Sequence, residues 1–161
     1  MPSRRWPKIY WMRPLPRSRS ISRQRGRGRI QYIFGHRRDG TGFLGFARVQ
    51  EGDAEGWAPM NAGWIRRDGT FGSLDAARSR MRVFRSPKSG WSTHMQVELV
   101  DELGRAMTSE GFVVSTMSEA GYGVNQLLRW DIDGGIGWGE DQDVWNPTHF
   151  VRVLDALKAT V

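Results

Sequence analysis

From Ile30 onward the chain alternates with period two. Ile30, Tyr32, Phe34 and His36 share one parity and Gln31, Ile33, Gly35 and Arg37 the other, which predicts a strand because successive strand side chains point to opposite faces. Asp39-Gly40-Thr41-Gly42 then forms a hairpin turn into a second strand, Gly42 to Val49. Phe43, Leu44 and Phe46 put apolar groups on both faces of that strand, as expected where one face meets a core and the other a covering segment or a ligand cavity.

Trp57 to Arg67 predicts a further strand, closed by Asp68-Gly69 and returned by Thr70 to Leu74. Residues 75–90 read two ways: Asp75 to Arg78 suits a helical turn, whereas Met81, Val83 and Phe84 suit an edge strand. Met95, Val97 and Leu99 alternate with Gln96 and Glu98. Asp101 to Gly104 turns the chain into a long strand through Met107, Phe112 and Val114. Leu128, Trp130 and Ile132 form another strand, which Asp133-Gly134-Gly135 reverses into Ile136, Trp138 and Glu140. Asn146 as cap, Pro147 at the first helical position, and Phe150, Val153, Leu154 and Leu157 at helical spacing predict one C-terminal helix to about Ala159. About eight short strands in meander order with one helix predict a mainly β fold, an antiparallel sheet or barrel. Alternating βαβ units are absent, which argues against a doubly wound nucleotide-binding fold.

Composition narrows the chemistry. The 161 residues suit one domain. No stretch reaches the roughly 18 apolar residues that a membrane helix needs. There is no cysteine, so thiol nucleophiles, disulfides and zinc ribbons are excluded; the imidazoles are His36, His94 and His149. The net charge of +7 is a sum of two unlike regions. Residues 1–30 carry ten Lys and Arg and no acid, which leaves 14 basic against 17 acidic residues in the remainder. The basicity therefore belongs to a leader, residues 1–29, rich in Ser, Pro and Arg and without strand or helix periodicity. It is expected to be a non-folding extension ahead of a body spanning 30–161 that starts mid-domain. Two other readings are a salt-sensitive RNA-binding arm and a transit peptide, the latter weakened by Pro7, Pro14 and Pro16. No apolar run follows the charges as in a secretory signal, so the expected address is cytoplasmic.

Motif checks remove most standard reactions. Gly135-Ile136-Gly137-Trp138-Gly139 has the wrong spacing for a dinucleotide loop and lies in a hairpin; its glycines are expected to let a twisted strand pass large Trp rings. Asp131-Ile132-Asp133 starts like a calcium loop but lacks the later oxygen ligands. No nucleophile elbow, phosphate loop or paired-histidine zinc helix occurs, and no metal or cofactor is expected. The dense constellation is Glu140-Asp141-Gln142-Asp143 between Trp138 and Trp145, with His149 following. Three carboxylates within four residues either repel one another in a dry site, raising one pKa so that it can protonate an alkene or carbonyl, or solvate an exposed turn ahead of a helix. A hard-cation site of these oxygens is a third reading.

The run Gly137 to Trp145, preceded by Leu128-Arg129-Trp130-Asp131 and a glycine hairpin, resembles the end of the lipocalin-like superfamily that includes hydroxyneurosporene synthase and tocopherol cyclase-like proteins. Phe34-Gly35-His36, Asp39-Gly40-Thr41 and Gly45-Phe46 resemble the start of that family's second barrel, so the similarity covers about Ile30 to Pro147. Members carry two calycin-like barrels in tandem, and only the second half corresponds. The resemblance implies a lipocalin-like barrel or half-open sandwich whose cavity takes an isoprenoid or steroid-like compound, with acid-promoted hydration or cyclisation in some members.

The candidate ligand walls are Tyr32, Phe34, Phe46, Trp130 and Trp138, and the candidate catalytic pair is Glu140 and His36: aromatic faces stabilise a carbocation while a carboxyl or imidazole moves a proton. For His36 a structural role in the sheet, and for the tryptophans a core role, compete with this. The expected function is binding of a hydrophobic small molecule. The rivals are a hydratase (lyase) or cyclase (isomerase) acting on such a compound, and an RNA-binding protein that uses the leader. A missing N-terminal barrel or a second copy of the chain is the expected protein partner; nucleic acid is not expected from the body.

Overall fold

The structure is a computed structural model that describes residues 28–50, 56–120 and 122–159. All readings of residues 1–27 lie outside the described residues. Ten strands follow in order: β1 (Gly28–Arg37), β2 (Gly42–Gln50), β3 (Trp57–Pro59), β4 (Ala62–Arg67), β5 (Thr70–Ser73), β6 (Arg80–Arg85), β7 (Ser92–Val100), β8 (Ala106–Ala120), β9 (Gly123–Ile132) and β10 (Gly135–Trp145). One helix, α1 (Pro147–Lys158), ends the described chain. The fold is thus mainly β and antiparallel with a single C-terminal helix, as the pattern predicts.

Every pairing is antiparallel and the sheet order is β3-β6-β7-β8-β9-β10-β1-β2-β4-β5. Asp-Gly turns close two hairpins. Asp68 and Asp133 have φ of 51° and 47° and are followed by Gly69 and Gly134 at 74° and 78°, the left-handed pair that a two-residue hairpin requires.

Two readings need correction. Trp57 to Arg67 is one strand in the alternation but two in space: Trp57–Pro59 pairs with β6, and from Ala62 the chain pairs with β2. At the bend Met60 donates to the Ser79 carbonyl (2.9 Å) and Asn61 to the Phe46 carbonyl (2.7 Å). This change of partner ties the two flanks together and rolls the sheet into a half-barrel. Residues 75–90 combine both expectations, a turn in which Arg78 donates to the Asp75 carbonyl (3.1 Å) and then β6, which lies between β3 and β7 rather than at an edge.

The far end is clamped by Asp101. Its buried carboxylate accepts from Arg105 Nε (2.7 Å) and from the Leu103 and Arg105 amides (3.0 and 2.9 Å). Arg105 in turn reaches the carbonyls of Ile65 and Thr70 (3.4 and 3.3 Å), so the β7–β8 turn is fastened to the β4–β5 hairpin.

The apolar interior is filled. Ile33, Phe43, Ile65, Leu128, Trp130 and four methionines, Met60, Met81, Met95 and Met107, form one cluster at 0 or 1% exposure. Trp130 sits edge-on to Phe43 with ring centroids 5.0 Å apart. A Cβ on Gly35 or Gly111 would come within 2.9 or 2.6 Å of the Trp130 ring, so these glycines make its room. The glycines of β10 do something else: Gly137 and Gly139 pack against the β1 backbone at His36 and Phe34, not against Trp rings.

Candidate functional site

The inward parity of each strand decides what meets inside the half-barrel. On β1 the buried residues include Gln31 and Ile33; on β10 they include Asp141, Asp143 and Trp145; on β9 they include Val124, Gln126 and Leu128. Cross-strand register places Gln31 opposite Asp143 and Gln126 opposite Asp141, so four polar side chains that look solvent-facing in the sequence converge at the interior end where β1 starts and β10 finishes. The helix covers that end. Asn146 caps α1 through the Thr148 and His149 amides (3.0 and 3.4 Å), and Phe150 and Val153 pack on Trp91, Val124 and Trp145.

The two aspartates have different partners. Arg85 Nη1 donates to Asp143 Oδ2 at 2.7 Å and to the Gly90 carbonyl at 3.1 Å; Arg29 lies 4.0 Å from the same carboxylate oxygen. Both guanidinium groups face the Trp145 ring, 5.2 Å (Arg29) and 4.6 Å (Arg85) from its centroid. Asp141 instead accepts from Gln31 Nε2 at 2.9 Å. Burial, followed by the negative charge of Asp143, pushes the Asp141 carboxyl up to about 8; the Gln31 hydrogen bond, Arg85 and the Ser92 hydroxyl oppose the shift. Asp141 therefore holds its proton at neutral pH while its neighbour sits against an arginine.

Much of this polar end lacks partners. Among the described residues, Arg29 Nη1, Gln31 Oε1, Arg85 Nη2, Ser92 Oγ, Gln126 Oε1, Asp141 Oδ2, Asp143 Oδ1 and Trp145 Nε1 are buried without a hydrogen bond, although Gln126 Nε2 donates to the Ser92 carbonyl (3.1 Å). Buried polar groups are paired in the great majority of folded proteins, and each exception costs roughly 1–3 kcal/mol. Eight such atoms gather at this end, on β1, β6, β7, β9 and β10.

Of the candidate ligand-wall and catalytic residues, only Trp130 points inward, and it is core. Tyr32, Phe34, His36, Phe46, Trp138 and Glu140 all lie on the outer face, where register sets Phe34 beside Glu140, His36 beside Trp138 and Tyr32 beside Phe46. The structure thus gathers them into one patch, but outside the barrel. Among the described residues Glu140 accepts from Gln142 alone (3.1 Å), and it is separated by the sheet from Asp141 and Asp143, so the three acids do not converge on a cation. Among the described residues no group of three metal-ligating side chains forms. A groove of about 320 Å³ on the outer side is bordered by Glu98, Glu110 and Asp133, each already paired, with Arg80, His94 and Arg67.

The residues missed were Gln31, Arg85 and Gln126; Asp141 and Asp143 stood in the acidic constellation, and the expectation that crowding in a dry site raises one carboxyl falls on Asp141 rather than on the candidate acid Glu140. The available signal was parity: Asp141 and Asp143 share their side with Gly137 and Gly139, which pack directly against β1. The chain matches no protein-family model, no curated protein and no solved structure.

Proposed function

We propose that this domain binds an amphipathic small molecule of the isoprenoid or steroid-like class in the manner of a lipocalin-like barrel. The apolar body of the ligand would lie among the methionines, whose flexible, polarizable side chains can move aside, and its single hydroxyl or carbonyl would lie against Gln31, Gln126 and Asp141. The observation that carries this reading is the set of eight buried polar atoms without partners at the helix-covered end of the interior. Titration with farnesol, geranylgeraniol and a sterol, followed by tryptophan emission, tests it. Saturable binding that weakens in Gln126→Leu supports it; absence of binding to all three refutes it.

The position of Asp141 favours a second reading, acid-promoted hydration. A carboxyl that keeps its proton to about 8 can pass it to an alkene carbon; water adds to the resulting carbocation, and the proton it sheds returns to Asp141. This assigns the acid role to Asp141 rather than to Glu140 or His36. A product heavier by one water, formed by the wild type and not by Asp141→Asn, distinguishes turnover from binding alone.

A further inference from the structure

β8, β9, β10 and β1 lie side by side in the middle of the sheet, and their outer face is greasier than contact with water requires. Ile136 is 62% exposed, Val144 54% and Trp138 48%, with Ile30 and Phe112 open beside them. Register makes these one patch: Ile30 lies opposite Val144, Trp138 opposite Arg129, and Arg129 opposite Phe112. With β2 included, five strands about 4.8 Å apart over about 25 Å of strand give a face of roughly 600 Å², at the upper end of what a monomer leaves open. Among the described residues nothing covers it.

Four side chains at the centre of the patch decide what fits it. Arg129 and Leu127 of β9 face out beside Trp138 and Glu140 of β10, with Arg129 in register with Trp138 and Leu127 with Glu140. The two apolar groups therefore occupy one diagonal of a small square and the two opposite charges the other. Among the described residues Arg129 makes no ion pair, and Glu140 has only the neutral Gln142 amide as a partner.

Such a surface is complementary to itself. A two-fold axis lying in the sheet along the Trp138–Leu127 diagonal turns a second copy face to face with the first. It sets Arg129 of each copy against Glu140 of the other and lays Trp138 on Trp138 and Leu127 on Leu127, the reciprocal pattern of an isologous contact. The strands of the two copies then cross at close to a right angle, one of the two ways in which sheets pack face to face. The area agrees: roughly 600 Å² from each copy is about 1,200 Å² in all, the lower bound of a specific interface, so self-association in the micromolar range is expected. Other occupants fit less well. An anionic partner meets Glu140 and Asp131 on this face, and a strongly cationic one meets Arg129 at the same place.

We propose that two copies of the chain pair through this face, with Trp138 and Leu127 on the axis and two reciprocal Arg129–Glu140 contacts beside it. Half-barrels joined in this way keep their interiors apart, so the pairing stands whether or not the helix-covered end takes a ligand.

Sedimentation of the full chain over a range of concentrations, with the charge reversals Arg129→Glu and Glu140→Arg alone and mixed, tests the surface. The wild type should pass from monomer to dimer in the micromolar range. Each reversal alone sets like charges together at both contacts and should weaken pairing at least about tenfold, at an unchanged melting temperature in dilute solution. An equimolar mixture of the two variants restores opposite charges at both contacts and should return to the wild-type affinity. Should either reversal melt early, Trp138→Ser on the open face supplies the second readout and should also weaken pairing about tenfold. A wild type that stays monomeric at hundreds of micromolar overturns the proposal, whether residues 1–27 of the same chain or a different protein covers the face. A dimer that neither reversal nor Trp138→Ser weakens also overturns it, as do two folded reversals whose mixture stays monomeric.

Discussion

Asp141 and Asp143 project from the same side of β10, two residues apart, yet Arg85 holds only Asp143, at 2.7 Å, while Asp141 meets the amide of Gln31 at 2.9 Å. One carboxyl is compensated by charge and the other is shielded from water with a like charge beside it. The raised Asp141 carboxyl follows from that arrangement and makes the interior end chemically distinct from the rest of the barrel.

Stability should depend on pH through Asp141. The folded carboxyl keeps its proton up to about 8, whereas the unfolded chain releases it near 3.8, so between those values the native state binds more protons and stability falls as pH rises. The loss should amount to a few kcal/mol. Denaturant unfolding of Asp141→Asn should show a flatter profile over that range and exceed the wild type at its upper end. An unchanged slope would remove Asp141 as the cause.

Asp101 should act in the opposite direction. Its burial raises the carboxyl pKa, but hydrogen bonds from the Arg105 side chain and amide, with the Arg105 charge, outweigh that and hold it below the ordinary value. Its contribution is present above the unfolded-state pKa and lost as pH falls through the folded one. Asp101→Asn should cost about 2–4 kcal/mol at neutral pH by freeing Arg105 from the β4–β5 hairpin. The difference in melting temperature from the wild type should shrink in acid.

Gly111 and Trp130 should be energetically coupled. Gly111→Ala places a methyl group 2.6 Å from the Trp130 ring and should destabilise by about 1–3 kcal/mol. In the Trp130→Phe background the same substitution should cost less, which a double-mutant cycle of melts will read. Strict additivity would mean that the ring does not press on Gly111.

The outer-face candidates provide a contrast. Glu140→Gln and His36→Ala should leave farnesol affinity within about twofold, because both side chains are separated from the interior by the sheet. Gln31→Leu should weaken it about tenfold, the equivalent of one hydrogen bond. The reverse ranking, read by the same fluorescence titration, would return the site to the outer patch.

The turns and the helix were legible because their signals are local. Asp68-Gly69 and Asp133-Gly134 demand left-handed backbone, and Asn146-Pro147 starts a helix whatever lies around it. Parity was not legible. β1 carries Ile30, Tyr32 and Phe34 on one side and Ile33 on the other, and the greasier side faces out; a pattern read by hydrophobicity alone selects the wrong face. The same reversal on β10 drew attention to Glu140 in place of Asp141. Gln31 and Gln126 were passed over because polar side chains read as surface until register shows them facing Asp143 and Asp141. The break at Met60 was hidden for a related reason: alternation records that a strand exists, not that it changes partner midway.

The most direct measurement is side-chain NMR of the uniformly nitrogen-labelled protein during addition of farnesol. The carboxamide signals of Gln31 and Gln126 and the indole signal of Trp145 should shift and saturate together, with the Trp138 indole unmoved. Movement of the Trp138 signal alone, with those interior groups unchanged at saturating farnesol, would contradict an interior binding site.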